Sequence, residues 1–345
     1  MLYPNYKIEL GSETFTPDSQ SVISFAVKLG LGPKVDSFEV VLAKEERSLK
    51  ITRNDSVKVH LGYAEDLIKV FSGMVNMVDQ GFVNIRVACL GSALNFLWLR
   101  LNKVYVNQTA GQIVSDLISS LKERLEGTEL VPVSRGEIMD GRNFPVYIID
   151  DRLNAYEHIE KLANKSNFIF YTSANNELFF KKYEKKEEHV LKYGEDLLEV
   201  NVTKMVGPYD TVFVYGESPA SWAGRETYHW LAKKEVVGLS SWGSVENQKD
   251  VSGSHLLAVQ DYTIKDNETV SAVAGNVTER VNREFRIMLK VIGNSKINVN
   301  DTVKVEGVEE SSLGSSFRVT DVEHYLDKVS GFISVLTCME EERSL

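Results

Sequence analysis

One nine-residue pattern occurs twice in this chain and limits its possible folds more than any other feature. Residues 51–59 read ITRNDSVKV and residues 297–305 read INVNDTVKV. Six of the nine positions are identical, at an offset of 246 residues. A phenylalanine follows each copy at that same offset, Phe71 in the first and Phe317 in the second.

The repeated pattern has a physical meaning. An Asn-Asp pair favours a turn in which a side chain bonds its own backbone, and the Val-Lys-Val that follows has the period-two alternation of a strand. The repeat therefore predicts two related β-domains separated by a large insertion. Chance similarity is the alternative, because spaced Ile, Asp and Val residues are common in β-structure.

Alternation and turn residues extend this prediction along the chain. The predicted fold class is mainly β with α+β insertions: two related β-barrel domains plus a helix–hairpin middle region. The predicted boundaries are residues 1–100 for the first β-domain, 101–194 for the middle region, 195–216 with 276–345 for the second β-domain, and 217–275 for an irregular insertion.

The middle region changes from strand to helix periodicity. Thr109 is predicted to cap a helix whose apolar residues recur every four positions, and Gly127 to end it. A second helix is predicted from residue 152, with Asp151 as its cap. An aromatic hairpin follows, turning at Asn175 and Asn176.

Composition excludes several classes of protein. The net charge of −10 disfavours general binding to phosphate backbones. The two cysteines, Cys89 and Cys338, are too few for a disulfide framework or a CxxC metal site. No apolar run approaches the roughly 18 residues of a membrane-spanning helix. No cofactor or metal is predicted.

The sequence gives little support for a catalytic site. Ser218 lies in Gly-Glu-Ser-Pro-Ala, which departs from the Gly-x-Ser-x-Gly nucleophile elbow, so a turn is the better interpretation. Asp150 and Asp151 are adjacent, and on a strand they would point to opposite faces. His158 and Glu160 are two apart, which on a helix does not place them on one face. The chain is therefore predicted not to be an enzyme.

Three of the four tryptophans fall in the irregular insertion: Trp222, Trp230 and Trp242. Stacking on sugars is one possible role. Packing against a neighbouring surface, in an oligomer another copy of the chain, is the favoured one.

The order of these motifs resembles a known family. The hairpin VFSGMVNMVDQGFVNIRVACLG, the helix–helix–hairpin middle and the closing segment with its V-x-x-V-x-H strand at His324 together resemble phage late control gene D proteins and the N-terminal part of VgrG-type spikes. The resemblance covers most of the chain and is weakest over residues 217–275.

The resemblance implies a function. It implies a structural baseplate hub of a contractile phage tail, tailocin or injection system: a homotrimer whose six β-domains form a ring between a hexameric tail tube and a trimeric spike. Because the chain ends at Leu345 without a needle, a separate spike protein is expected, and other baseplate proteins are further expected partners. Assembly in the cytoplasm and incorporation into a virion or injection particle are expected.

The resemblance also suggests where contacts would fall. The repeat residues are the candidate ring or tube interface: Asn54, Asp55, Val57, Lys58, Asn300, Asp301, Val303 and Lys304. The three tryptophans are the candidate intersubunit packing residues. The alternatives from other classes are a tail-associated cell-wall hydrolase and a carbohydrate-binding module.

Overall fold

The computed structural model describes most of the 345-residue chain. The described residues are 3–32, 34–185, 188–204, 209–216, 237–241, 255–261, 264, 267–281, 285–308 and 316–340. Ser218 and the three candidate tryptophans lie outside these residues.

Strands dominate the described chain. The strands are β1 (Pro4–Leu10), β2 (Glu13–Phe15), β3 (Val22–Gly30), β4 (Ser37–Ala43), β5 (Ser56–Tyr63), β6 (Asp66–Gln80), β7 (Asn84–Gly91), β8 (Lys103–Thr109), β9 (Ser134–Ile138), β10 (Asn143–Ile149), β11 (Phe168–Thr172), β12 (Glu177–Lys182), β13 (Glu188–Lys192), β14 (Leu197–Lys204), β15 (Thr211–Tyr215), β16 (Val237–Ser241), β17 (Leu256–Gln260), β18 (Phe285–Ile292), β19 (Thr302–Glu306), β20 (Ser316–Asp327) and β21 (Gly331–Glu340). The helices are α1 (Leu94–Trp98), α2 (Ala110–Leu125), α3 (Ala155–Ser166) and α4 (Asn267–Val281).

The N-terminal strands form a first β-module. Six of them lie in the order β3-β4-β7-β6-β5-β1, all antiparallel, with β2 at the end. Every second residue of β4, Phe38, Val40 and Leu42, is buried, as period-two alternation predicts. These side chains fill one core together with Phe25 and Phe71.

The C-terminal strands form a second β-module of the same design. Its order is β14-β18-β21-β20-β19-β13, so each strand has a counterpart in the first module. The outermost pair differs, because β13 runs parallel to β19 whereas β1 runs antiparallel to β5. The predicted mainly-β fold is thus confirmed, and the two modules repeat one strand order. In the described chain their strands form an open sheet and not the two closed barrels that the sequence predicted.

Local details match between the modules as well. Val75 of β6 pairs with Cys89, and Val319 of β20 pairs with Cys338. The register shifts by one residue directly after each of these valines. An equivalent bulge follows Val22 in β3 and Leu197 in β14. Matching bulges bend both modules at the same places.

One detail of the predicted repeat is wrong. Phe71 pairs with Val59, whereas Phe317 pairs with Val303, the counterpart of Val57. The two phenylalanines therefore occupy different rows of the sheet. The reason is the connection between the paired strands, which is two residues longer in the first module.

The two modules share one sheet. Strand β20 pairs antiparallel with β3 over residues 321–327, which joins the modules into a single sheet of 13 strands. Within the described chain this sheet is open, with β14 and β2 at the ends of the main strand order and β13 at the end of the branch that leaves β20 through β19.

The middle region packs two helices on short sheets. Thr109 caps α2 in a capping box with Gln112, as predicted. The prediction that Asp151 caps α3 is wrong, because Asn154 holds that position and accepts from the backbone N–H of Glu157. Strands β8 and β10 pair together, and β9, β12 and β11 form a second small sheet.

A separate small sheet is inserted in the sequence between β14 and β18 of the second module. Strand β15 pairs with β16 and β17, and α4 packs against it. Its core contains Val212, Val214 and Val270. Strand β15, predicted to lie in the second β-domain, is therefore paired outside the 13-stranded sheet, and the domain boundaries stay a prediction.

Removing the turn carboxylates should destabilise the two modules unequally. The Asp55 carboxylate accepts from the Thr52 backbone N–H at 2.7 Å and from the Thr52 hydroxyl at 3.1 Å, both within its own turn. The Asp301 side chain is only 13% exposed; it accepts from the Asn298 N–H at 2.8 Å and contacts His189 of another strand at 3.2 Å. We expect Asp55→Ala to lower the free energy of unfolding by about 1 kcal/mol, and Asp301→Ala to lower it by more. Denaturant titration measures both.

Asp66→Ala is the matched control for this comparison. The Asp66 side chain is 70% exposed and, within the described ranges, forms a surface ion pair with Lys296, so its loss should be nearly neutral. Equal effects of all three variants would contradict the role given to the turns.

Candidate functional site

The repeated turns have the same geometry. Asn54 and Asn300 both adopt left-handed backbone conformations, with φ of 72° and 69°. Asparagine tolerates this region better than most residues. In each copy the asparagine N–H donates to the backbone oxygen of Val75 or Val319 at 2.8 Å. Each turn therefore fixes the start of one strand against the bulge of its neighbour.

The repeat residues face in different directions. Val57 and Val303 are fully buried inside their own modules. The Lys58 side chain is 53% exposed and lies 3.9 Å from Glu9, and Lys304 is half-exposed and pairs with Glu306 at 3.0 Å. The two lysines and the exposed Asn54 are thus placed to meet a partner through their side chains, whereas Asn300 is buried.

The junction between β3 and β20 is the most developed contact between the modules. Lys28 pairs with Glu323 at 3.1 Å, and Lys34 pairs with Asp321. Phe332 of the second module lies in the first module's core. Leu31 of the first module lies in the second module's core. The two cores are therefore interlocked across the junction.

The connection at residues 30–36 ties this junction to the middle region. The Leu31 N–H donates to the Thr320 oxygen, and the Gly32 N–H donates to the Phe170 oxygen, both at 2.9 Å. The Tyr156 hydroxyl donates to the Lys34 oxygen at 2.8 Å. One connection therefore contacts three structural units.

Two buried ionisable groups lie at the junction. Burial raises the pKa of Asp36 to about 7, although its carboxylate accepts from the Gly30 N–H and the Thr172 hydroxyl. Burial lowers the pKa of His324 to about 4. His324 is therefore neutral near pH 7.

The His324 ring is held by a defined hydrogen bond. Its Nδ1 lies 2.8 Å from the Ser334 Oγ, which also accepts from the Asn294 N–H. The Ser334 hydroxyl is therefore placed to donate to Nδ1. The Nε2 atom of His324 is buried without a hydrogen-bond partner among the described residues.

The candidate catalytic residues do not converge. Asp150 forms a surface pair with Arg152, and Asp151 is exposed. The His158 ring is buried and contacts the Tyr147 hydroxyl at 3.4 Å and the Asp150 backbone oxygen at 3.3 Å. This is the environment of a structural histidine rather than of a general base aimed at a substrate.

Other chemistry finds little support in the described residues. They contain no group of three or more His, Cys, Asp or Glu arranged to hold a metal ion. Burial raises the pKa of both cysteine thiols, so neither is a reactive thiolate. Across the same part of the chain, no helix is long and apolar enough to cross a bilayer.

A cavity of about 310 Å³ lies beside the junction. Its lining includes Leu31, Gly32, Phe170, Asn276 and Asp321. Its walls come from the first module, the middle region, α4 and β20. It is thus a gap where four units meet rather than a pocket built within one of them.

Sequence comparisons and structural comparisons give different results. No family model matches the sequence, and no curated protein matches it. Known structures do match. The 43 kDa tail protein of prophage MuSo2 from Shewanella oneidensis is 12% identical, with a TM-score of 0.72 and 98% of each chain covered.

Two further structures support the same fold. A tail protein from Neisseria meningitidis MC58 is 11% identical, with a TM-score of 0.69, covering 98% of this chain and 97% of that one. The Escherichia coli c3393 protein, a type VI secretion component described as similar to the phage T4 tail proteins gp27 and gp5, is 12% identical with a TM-score of 0.59 over 98% of this chain and 77% of that one. The chain has a phage tail-protein fold.

The Gly32→Ala variant should weaken the junction. A Cβ at this position would lie 2.2 Å from the Phe170 ring, so the ring would have to shift out of its edge-to-face contact with Tyr156. We expect a loss of about 1–3 kcal/mol in unfolding free energy, measured by denaturant titration. Gly275→Ala in α4 is the control, since its Cβ would meet open space, and it should be neutral or stabilising. A neutral Gly32→Ala would contradict the close packing.

Replacing His324 should change how stability depends on pH. Its folded pKa, about 4, lies below the usual 6.5, so the unfolded chain binds a proton that the folded chain does not. This histidine therefore costs stability as pH falls from about 6.5 to 4. Relative to the parent, His324→Gln should gain up to about 3 kcal/mol between pH 7 and pH 4. Denaturant titrations across that range measure the difference, and a constant difference would rule out the histidine as its source.

Proposed function

We propose that this protein is a structural baseplate hub of a contractile phage tail, tailocin or injection system. Three copies would form a pseudo-hexameric ring that joins a hexameric tail tube to a trimeric spike. The proposed partners are a second and third copy of the chain, the tube protein, a separate spike protein and other baseplate proteins. The proposed setting is assembly in the cytoplasm followed by incorporation into a virion or injection particle.

One observation carries this proposal: the chain contains two modules of the same strand order, joined edge to edge. The β3–β20 junction uses two different surfaces, one from each module. A contact between unlike surfaces is heterologous, and it closes into a ring when the rotation per unit divides a full turn. Three chains of two modules supply six similar units around such a ring.

The comparisons support the same proposal at the level of fold. The neighbours named above include phage tail proteins, and one is a type VI secretion component described as similar to gp27 and gp5. The more specific assignment to late control gene D and VgrG-type hubs depends on the sequence resemblance.

The work of such a hub is mechanical. It would match six tube subunits to three spike chains and move with them when the sheath contracts. The exposed Lys58 and Lys304, at equivalent positions of the two modules, are proposed to contribute matched charges around the ring. Charge complementarity at such rims sets specificity and association rate more than affinity.

Solution mass tests the ring directly. Light scattering of the purified chain over a range of concentrations should approach about 116 kDa, three times the chain mass of 38.8 kDa. Addition of the spike protein should favour the trimer, because ligands that bind one state stabilise it. A chain that stays monomeric at every concentration, with and without the spike protein, would overturn the proposal.

Variants at Val57 and Val303 are unsuitable for this test. Both side chains are buried in module cores, so an aspartate there would unfold the module before it reported on the ring. The informative changes lie on exposed strand edges.

A further inference from the structure

Several strand edges of the 13-stranded sheet, those of β2 and β13 included, have no strand beside them in the described chain, and two of them match the surfaces that meet at the β3–β20 junction. The first is the edge of β6 over residues 77–80. Strand β5 pairs with this side of β6 only as far as Met74. The second is the outer edge of β14 over residues 198–203. Exposed strand edges invite pairing with another chain.

These two edges are the counterparts of the two that meet inside the chain. The bulges align β6 with β20, so that Asp79 corresponds to Glu323. The bulges after Val22 and Leu197 align β3 with β14, so that Thr203 corresponds to Lys28. The end of β6 is therefore the first module's version of the β20 surface, and β14 is the second module's version of the β3 surface.

We infer that the end of β6 in one copy pairs antiparallel with β14 of a second copy, in the register of the β3–β20 junction. Glu323 lies opposite Lys28, and His324 lies opposite Val27. By correspondence, Asp79 lies opposite Thr203 of the second copy, and Gln80 lies opposite its Val202. This inference rests on the proposed ring and specifies the surface that closes it.

Burial at equivalent positions supports this pairing. In β3, which is covered by β20, Phe25 and Val27 are 2% and 0% exposed. Their counterparts in β14, Val200 and Val202, are only half-buried although they pack on the second core. In the proposed register the end of β6 reaches Val202, opposite Gln80, and would cover it as β20 covers Val27. Val200 lies beyond the end of β6. Apolar burial of this kind contributes roughly 25 cal/mol per Å².

The free end of β6 also carries apolar surface. Met77 is 49% exposed, and Phe82 at the following hairpin tip is 96% exposed. Single exposed apolar residues are ordinary. Here they lie at the edge that lacks a strand, where a second copy would cover Met77.

The pairing between copies should be shorter than the one within the chain. In the β6–β7 hairpin, Cys89 lies 14 positions after its partner Val75. In the β20–β21 hairpin, Cys338 lies 19 positions after its partner Val319. Strand β6 ends at Gln80, which corresponds to His324, whereas β20 continues to Asp327. The contact between copies therefore has fewer ladder rows, and trimer formation should depend on concentration.

Cysteine crosslinking tests the register. The full chain carrying Asp79→Cys and Thr203→Cys, both at exposed positions, is oxidised at a concentration where light scattering is also measured. Facing residues of an antiparallel pair fall within the Cα separation that a disulfide spans. We expect covalent dimers and trimers on a non-reducing gel, reversed by reductant. Cys89 and Cys338 are buried and should not interfere.

Two matched controls define the result. Lys28→Cys with Glu323→Cys places the same bond at the junction within one chain, and should give crosslinked monomers only. Asp79→Cys with Val202→Cys shifts the register by one residue, which points the two side chains to opposite faces, and should crosslink at least tenfold less.

The outcomes separate this inference from the proposed function. A trimeric mass without the Asp79–Thr203 crosslink would overturn the pairing and leave the ring. A monomer at all concentrations without crosslinks would overturn both. Equal crosslinking of the in-register and shifted pairs would reveal random collision and would also overturn the pairing.

Discussion

The antiparallel pairing of β3 with β20 is the contact on which the rest of the structure depends. It joins two modules that each have their own core into one sheet. Because Phe332 and Leu31 cross from one module to the other's core, separating the modules would expose apolar surface on both sides. The connection at residues 30–36 then fastens the middle region to the same place. A substitution at this junction therefore disturbs the packing of three units: the two modules and the middle region.

Duplication explains why this contact has unpaired counterparts. When a strand arrangement is repeated within a chain, every surface that joins the copies exists twice, but a linear chain can satisfy only one pair internally. The remaining pair is β14 and the end of β6. The internal contact has the advantage of covalent connection, which raises the effective concentration of its partners. The proposed external contact would have fewer rows and no tether, so its formation would depend on the concentration of the chain.

Sequence reasoning predicted local features well and pairing partners less well. The Asn-Asp turns, the capping box at Thr109 and the alternation in β4 follow from local chemistry, and the structure contains each of them. The equal spacing of Phe71 and Phe317 in the sequence did not place them at equivalent positions in the two sheets. The length of the connection between two paired strands decides which residues face each other, and equal spacing does not reveal that length. The cap of α3 lay at Asn154 because the helix begins later than the Asp pair indicates.

The pairing of β3 with β20 could not be predicted from the sequence for a related reason. Strands β3 and β20 are almost 300 residues apart, as residues 28 and 323 illustrate, and no periodicity specifies such a partner. The matching bulges in β3 and β14 were also invisible, since a bulge changes the register without a distinct residue pattern. The two edges that form the candidate assembly site therefore became recognisable only when the strand order of both modules was compared.

The two buried ionisable groups at the junction act in opposite directions with pH. Asp36 has a folded pKa of about 7, above its usual 3.8, so it binds a proton in the folded chain over a range where the unfolded chain has lost it. Its contribution to stability falls as pH rises between these values. His324, with a folded pKa of about 4 against 6.5, behaves in the reverse sense.

Between about pH 4 and 6.5 the folded chain holds one proton on Asp36 and the unfolded chain holds one on the histidine. These two groups then bind equal numbers of protons in both states, so together they leave the slope of stability with pH close to zero. The junction that unites the modules is thereby buffered against moderate acidification, although each of its buried groups taken alone is sensitive to it.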